Sequence, residues 1–279
     1  MLCAVFWSTS GLFIQFIDWS APVIAGSRSF LSIIVLFPLR RYLNVKQEPI
    51  KLFSSITGGV FYSATMITFV FANQLTSPAN AILLQFTAPI WAALLGWVLV
   101  KERPFWENWV ALIIITPGMF MILSDGLGGG AFIGNLLGLA SGVVFAMNSI
   151  VLRKRRDASP LDVMIGAHIF TLLFSIPFFF ISPPQFTTLS VLSVVYMGTL
   201  QVGLPSALFV YGVKRVTAVQ SMLTASIEPV LNPIWVMLVL GLMPTPIVIA
   251  GGGFILGAVL FSGFVTNWRS KARAGNAGR

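Results

Sequence analysis

The sequence predicts an all-α polytopic membrane protein of ten transmembrane helices, arranged as two inverted five-helix repeats. Three observations carry that expectation. Apolar residues make up 57% of the 279-residue chain and charged residues only 9%, against roughly 25% charged in soluble domains. So few ionised groups cannot cover a globule of this size. Apolar runs long enough to cross the hydrocarbon core, about 20 residues each, recur along the whole chain. One stretch near residue 80 also reappears near residue 220.

Broken at charges and at Pro/Gly clusters, the runs fall at 1–17, 21–39, 52–73, 80–100, 107–124, 132–152, 161–182, 188–212, 217–240 and 246–266. They use up the chain and leave no room for a soluble domain. The first run lacks a basic flank, and another run follows it at once instead of a cleavage site. It therefore reads as a retained helix and not as a signal peptide.

The loops between the runs alternate in charge. Arg40, Arg41, Lys46 and Lys51 follow the second run, and Lys101 and Arg103 the fourth. Arg153, Lys154, Arg155 and Arg156 follow the sixth, Lys214 and Arg215 the eighth, and Arg269, Lys271, Arg273 and Arg279 the tenth. The opposite loops carry only Asp18 and Asp125. By the positive-inside rule both termini are expected on the cytoplasmic side of the cytoplasmic (inner) membrane. The formal charge of +9 is then an orientation signal, and no nucleic-acid partner is expected.

The stretch Ala79–Pro104 overlays Val219–Pro244, with Pro89 on Pro229 and Pro104 on Pro244. More weakly, Trp7-Ser-Thr-Ser aligns near Phe145-Ala-Met-Asn. Five runs per half is an odd number, so the second half enters the membrane in the opposite sense, a transporter habit that puts the site near the midplane. The expected divisions are a first repeat over 1–126, a Gly-rich hinge over 127–131, a second repeat over 132–268 and a basic cytoplasmic tail over 269–279.

Several segments together resemble the EamA-type branch of the drug/metabolite transporter superfamily. They are the Trp7 motif FWSTSGLF, Ala25-Gly26-Ser27-Arg28, SPANAILLQFTAPIWAALLGWVLVKERP, and Ser226-Ile-Glu-Pro-Val followed by a Gly-rich last run. The likeness covers nearly the whole chain and implies a ten-span carrier of a small metabolite. One departure stands out. Family members often carry Gly-Glu before the proline that closes the ninth span, where this chain has Leu242-Met243, although Glu102 keeps the first-half acid.

Arg28, His168 and Glu228 are the ionisable residues well inside the runs. A charge at the bilayer centre costs about 3 kcal/mol, so such groups face the bundle interior and a partner. Arg28 could grip a carboxylate or phosphate with its planar fork of donors, or clamp onto Glu228 or onto helix carbonyls. Glu228 could carry a proton or hold a cation, or serve only as the other half of that clamp. His168, the only histidine, could relay a proton or simply bond a neighbouring hydroxyl.

Pro229 and Pro233 remove backbone donors four residues apart with Asn232 between them, and Pro89 does the same in the first half. These three prolines are expected gates or helix breaks. Trp7, Phe13, Trp91, Tyr211 and Trp235 could wall an aromatic cavity, while Trp19, Trp106, Trp109 and Trp268 read as interfacial anchors. Asn73, Asn80, Gln85, Asn148, Gln201 and Asn232 could line a path or bond between helices. Gly134-x-x-x-Gly138-x-x-x-Gly142 and Gly253-x-x-x-Gly257 read as ridges for close helix approach. Thr116-Pro117-Gly118 and Gly203-Leu-Pro205 are expected kinks.

Function follows by exclusion. Cys3 is the only cysteine, so no intrachain disulfide, metal centre or cofactor is expected. There is no nucleotide-binding motif and no convincing nucleophile–base pair, so neither ATP drive nor an enzyme is expected. What remains is a secondary active transporter moving a small metabolite, an amino acid or related solute, by alternating access. Proton coupling is open, as is a monomeric or homodimeric state within the lipid bilayer. The competing class is a channel, lipid-flipping or scaffolding subunit. The residues expected at the site are Arg28, Glu228, Trp7, Trp91, Asn148, Tyr211, Asn232 and Trp235.

Overall fold

In the computed structural model the described residues are 2–42, 52–101, 105–125, 130–154, 160–213 and 227–277. All regular structure among them is helical. Six apolar stretches have the length to span a bilayer: Ala21–Arg40, Pro78–Leu99, Trp106–Asp125, Leu161–Ile181, Thr188–Leu208 and Pro246–Arg269. At 1.5 Å rise per residue, about 20 residues cover the roughly 30 Å of hydrocarbon. The chain is therefore an integral membrane protein.

In order, the helices are α1 (Leu2–Ser8), α2 (Ser10–Ile14), α3 (Ala21–Tyr42), α4 (Leu52–Leu75), α5 (Pro78–Gln85), α6 (Ala88–Val100) and α7 (Trp106–Asp125). There follow α8 (Phe132–Lys154), α9 (Pro160–Ile181), α10 (Thr188–Tyr196), a π-helical segment (Met197–Gly203), α11 (Leu204–Val213), α12 (Glu228–Leu240) and α13 (Pro246–Ala277). The expected tail over 269–279 is thus helical as far as Ala277, continuing α13.

Each interruption has a local cause. Between α1 and α2 the hydroxyls of Ser8 and Thr9 donate back to the carbonyls of Val5 and Phe6, both at 2.7 Å, competing with the backbone ladder. Between α5 and α6, Thr87 Oγ1 donates to the Leu84 carbonyl at 2.6 Å. Pro89, in the first turn of α6, has no N–H to give the Gln85 carbonyl. The π segment ends at Gly203, two residues before Pro205, and the Leu204 N–H between them reaches the Thr199 carbonyl. The i−5 pattern accommodates a proline that cannot donate. Pro117, by contrast, sits inside an unbroken α7.

Helix packing joins the two ends of the sequence. α4 packs on α8 and α9, α3 on α9 and the π segment, α7 on α13, α6 on α8, and α12 on α1, α2 and α5. The ridge Gly134/Gly138/Gly142 lets α8 approach backbone closely. A Cβ at Gly134 would lie 2.6 Å from the Leu75 carbonyl carbon, and one at Gly142 would lie 2.9 Å from the Gln85 oxygen. The Gly253/Gly257 ridge does not behave this way, since a Cβ at either meets nothing within 4 Å. The close crossing of α7 and α13 is made by Gly118 and Gly251, each of whose Cβ would sit under 3 Å from the other's carbonyl oxygen.

Candidate functional site

α4 forms one wall of a polar cluster buried in the bundle. Tyr62 lies one turn before Met66, whose carbonyl accepts a long 3.5 Å contact from Nη2 of Arg28 on α3. Arg28 is only 3% exposed, and its Nε has no hydrogen-bond partner among the described residues. Tyr62 stands within electrostatic reach of both Arg28 and Glu228, beside Ser206 of α11. Its ring meets the His168 imidazole edge-on at 5.8 Å.

His168, on α9, faces Ser29 Oγ at 3.2 Å through Nδ1, the hydroxyl partner that was one of its two expected roles. Its Nε2 and Ser206 Oγ are buried without partners among the described residues. Glu228 opens α12 and is half-buried. Of the two clamps open to Arg28, the ion pair with Glu228 is absent among the described residues, and the long contact to the Met66 carbonyl is of the helix-carbonyl kind. Among the described residues the salt bridges are Arg40–Asp162 at 2.6 Å and Arg269–Glu107 at 2.9 Å. Both lie towards the basic end, where they tie α3 to α9 and α7 to α13.

A buried polar group left unpaired costs about 1–3 kcal/mol, and native structures carry few of them. Three such atoms, Arg28 Nε, His168 Nε2 and Ser206 Oγ, gather near Tyr62 together with Glu228, and this cluster is the candidate site.

Other expected residues fall elsewhere. Asn232 packs against Gly11, where a Cβ would lie 2.5 Å from its Oδ1, and Nδ2 donates to Ser10 Oγ at 3.4 Å. Trp235 Nε1 donates to Ser8 Oγ at 2.9 Å, so both residues bind α12 to the first span. Trp91 Nε1 donates to Thr87 Oγ1 at 3.0 Å, inside its own span. The Trp7 carbonyl accepts from Gln201 Nε2 at 3.3 Å. Asn148 is buried with an unpartnered Oδ1 among the described residues. The Tyr211 side chain lies outside the described residues.

Pro229 stands in the first turn of α12, whereas Pro233 breaks nothing, because α12 runs through it to Leu240. Trp19 is not an interfacial anchor. It is 5% exposed, with Nε1 donating to the Gln185 carbonyl at 2.7 Å. Asn80 bonds Asn135, and Gln85 bonds Ser141, both between helices.

Sequence reasoning missed Tyr62, Ser206 and Ser29 at the cluster, and Tyr196. Tyr196 stacks on Phe13 at 4.1 Å and meets Thr9 Oγ1 at 3.2 Å. The available signal was a tyrosine inside each of the third and eighth runs, in a chain with only four.

The family model described as the EamA-like transporter family matches residues 1–124 and 132–264. Solute carrier family 35 member G1 of Mus musculus is 26% identical over 172 residues, which are 55% of this chain and 46% of that relative. The chain thus spans about half the length of that relative, and the same holds for the Homo sapiens protein of that name. An uncharacterized transporter of Archaeoglobus fulgidus is 25% identical over 94% of each chain. One solved crystal structure superposes with a TM-score of 0.68 at 19% identity, covering 94% of this chain and 95% of that one, which speaks to the fold alone. With its family model matched over both halves, the chain belongs to the EamA-like transporter family.

Proposed function

We propose that the protein is a secondary active transporter that carries an amino acid or related small metabolite by alternating access between two inverted five-helix halves. Arg28 takes the solute's carboxylate, and Glu228 takes its ammonium or a proton. The observation that carries this reading is the cluster itself: an arginine and a glutamate that form no ion pair among the described residues, with buried unpartnered polar atoms on Arg28, His168 and Ser206 near Tyr62.

The repeat is supported by more than the prolines. α6 and α12 are both 13 residues long, open on an X-Pro pair and close on a left-handed residue, Lys101 (φ 59°) and Gly241 (φ 69°). Residue for residue they keep the spacing of the sequence overlay. The charge alternation supports α6 lying in the cytoplasmic half and α12 in the outer half, as an inverted repeat requires. The packing scheme has the same character, since α6 of the first half packs on α8, which opens the second, and α12 of the second half packs on α1 and α2, which open the first.

Counterflow in proteoliposomes tests the reading. Vesicles loaded with an unlabelled amino acid should accelerate uptake of the labelled one. Flux without trans-stimulation would point instead to a passive pore, and no flux across an amino-acid panel would remove the assigned substrate class.

A further inference from the structure

We infer that Tyr62, together with Ser206, is a specificity-determining contact for the carboxylate of the transported solute, the second grip on the group that Arg28 holds. The inference rests on the transport reading above and goes beyond it in naming the residues that read the solute's head group.

Four observations place Tyr62 in this role. It neighbours every group of the cluster: Arg28 and Glu228 by charge, Ser206 by position, and His168 by ring contact. It is half-buried, so part of its surface faces open space despite these neighbours. Ser206 beside it is fully buried with an Oγ that meets no partner among the described residues. Arg28 Nε is likewise buried and unpartnered among the described residues, and the contact from Nη2 to the Met66 carbonyl is long at 3.5 Å.

A guanidinium, a phenol and a serine hydroxyl can all donate. Gathered on neighbouring helices, they make a donor set suited to the two oxygens of a carboxylate. When ionised, Glu228 only accepts and so suits an ammonium group and not the anionic side. The phenol therefore sits where carboxylate recognition ends and ammonium recognition begins.

The test compares wild type, Tyr62→Phe and Ser206→Ala in counterflow against matched probes: leucine, its decarboxylated amine 3-methylbutylamine, and its deaminated acid 4-methylpentanoate, with the same sets built on phenylalanine and methionine. Tyr62→Phe keeps the ring and its packing on His168. It should raise the apparent KM for carboxylate-bearing probes about ten- to hundredfold, as for loss of a hydrogen bond to a charged group, and leave the amines unchanged. Ser206→Ala should move the same probes in the same direction, by less.

Equal loss for acids and amines would overturn the assignment and make Tyr62 a packing residue, while trans-stimulated exchange in wild type kept the transport reading intact. Wild-type protein carrying none of the probes would overturn the amino-acid reading and this inference together. A folding defect is separated by melting temperature, which should match wild type in both variants.

Discussion

α6 and α12 share one backbone design and differ in what closes it. At the start of α6 the chain satisfies itself: Thr87 donates to Leu84, and Trp91 donates to Thr87. The residue before its proline is Ala88. At the start of α12 the residue before the proline is Glu228, without an ion-pair partner among the described residues. There the tryptophan and asparagine donate to Ser8 and Ser10 of the first span. One copy of the hinge is knotted locally, and the other is tied across the bundle and carries an ionisable group. Two helices of matching length and termini thus differ in how their starts are held and in which of them carries an ionisable group.

The sharpest way to break this comparison is Glu228→Gln, which keeps the shape of α12 and removes its charge. The expected loss is about 2–5 kcal/mol of solute recognition, the range for truncating one partner of a buried charge contact. It should be read as collapsed uptake with an unchanged melting temperature. Uptake that survived would make α12 as inert as α6.

A smaller effect is expected opposite it. Arg28→Lys replaces a planar fork by a point charge and should weaken carboxylate-bearing solutes about tenfold, or 1.4 kcal/mol, relative to amines in competition assays. Equal weakening of all solutes would identify Arg28 as a structural clamp.

The smallest effects separate the two tryptophans. Trp235→Phe and Trp91→Phe each remove one N–H donor, and each should lower stability by about 0.5–1.5 kcal/mol. Only Trp235→Phe breaks a tie between α12 and the first span, so only it should alter exchange rates. Matching exchange kinetics in the two variants would erase the distinction drawn between the hinges.

Much of the hinge geometry was legible because proline acts locally: Pro89 and Pro229 mark helix starts whatever surrounds them. Pro233 was misread because a proline within a helix removes one donor without ending the helix. The glycine ridge on α13 was misplaced for a different reason. Spacing defines a face, but which face meets α7 depends on helix rotation, and here it is that of Gly251. Trp19 shows the same limit, since its place at a helix end fixed its depth in the chain but not its burial under Gln185. The charged members of the site could be read because an ion in an apolar run is conspicuous. Tyr62 could not, because its meaning comes only when α3, α9 and α11 are brought around α4.

The most direct measurement is solute binding to purified protein, followed by melting temperature for wild type, Glu228→Gln and Trp91→Phe. At a solute concentration of 100 Kd, mass action stabilises the bound protein by about 2.7 kcal/mol. The prediction is a clear upward shift for wild type and Trp91→Phe and none for Glu228→Gln. An equal shift in Glu228→Gln, or a shift abolished by Trp91→Phe, would contradict the placement of the solute at the second-half hinge.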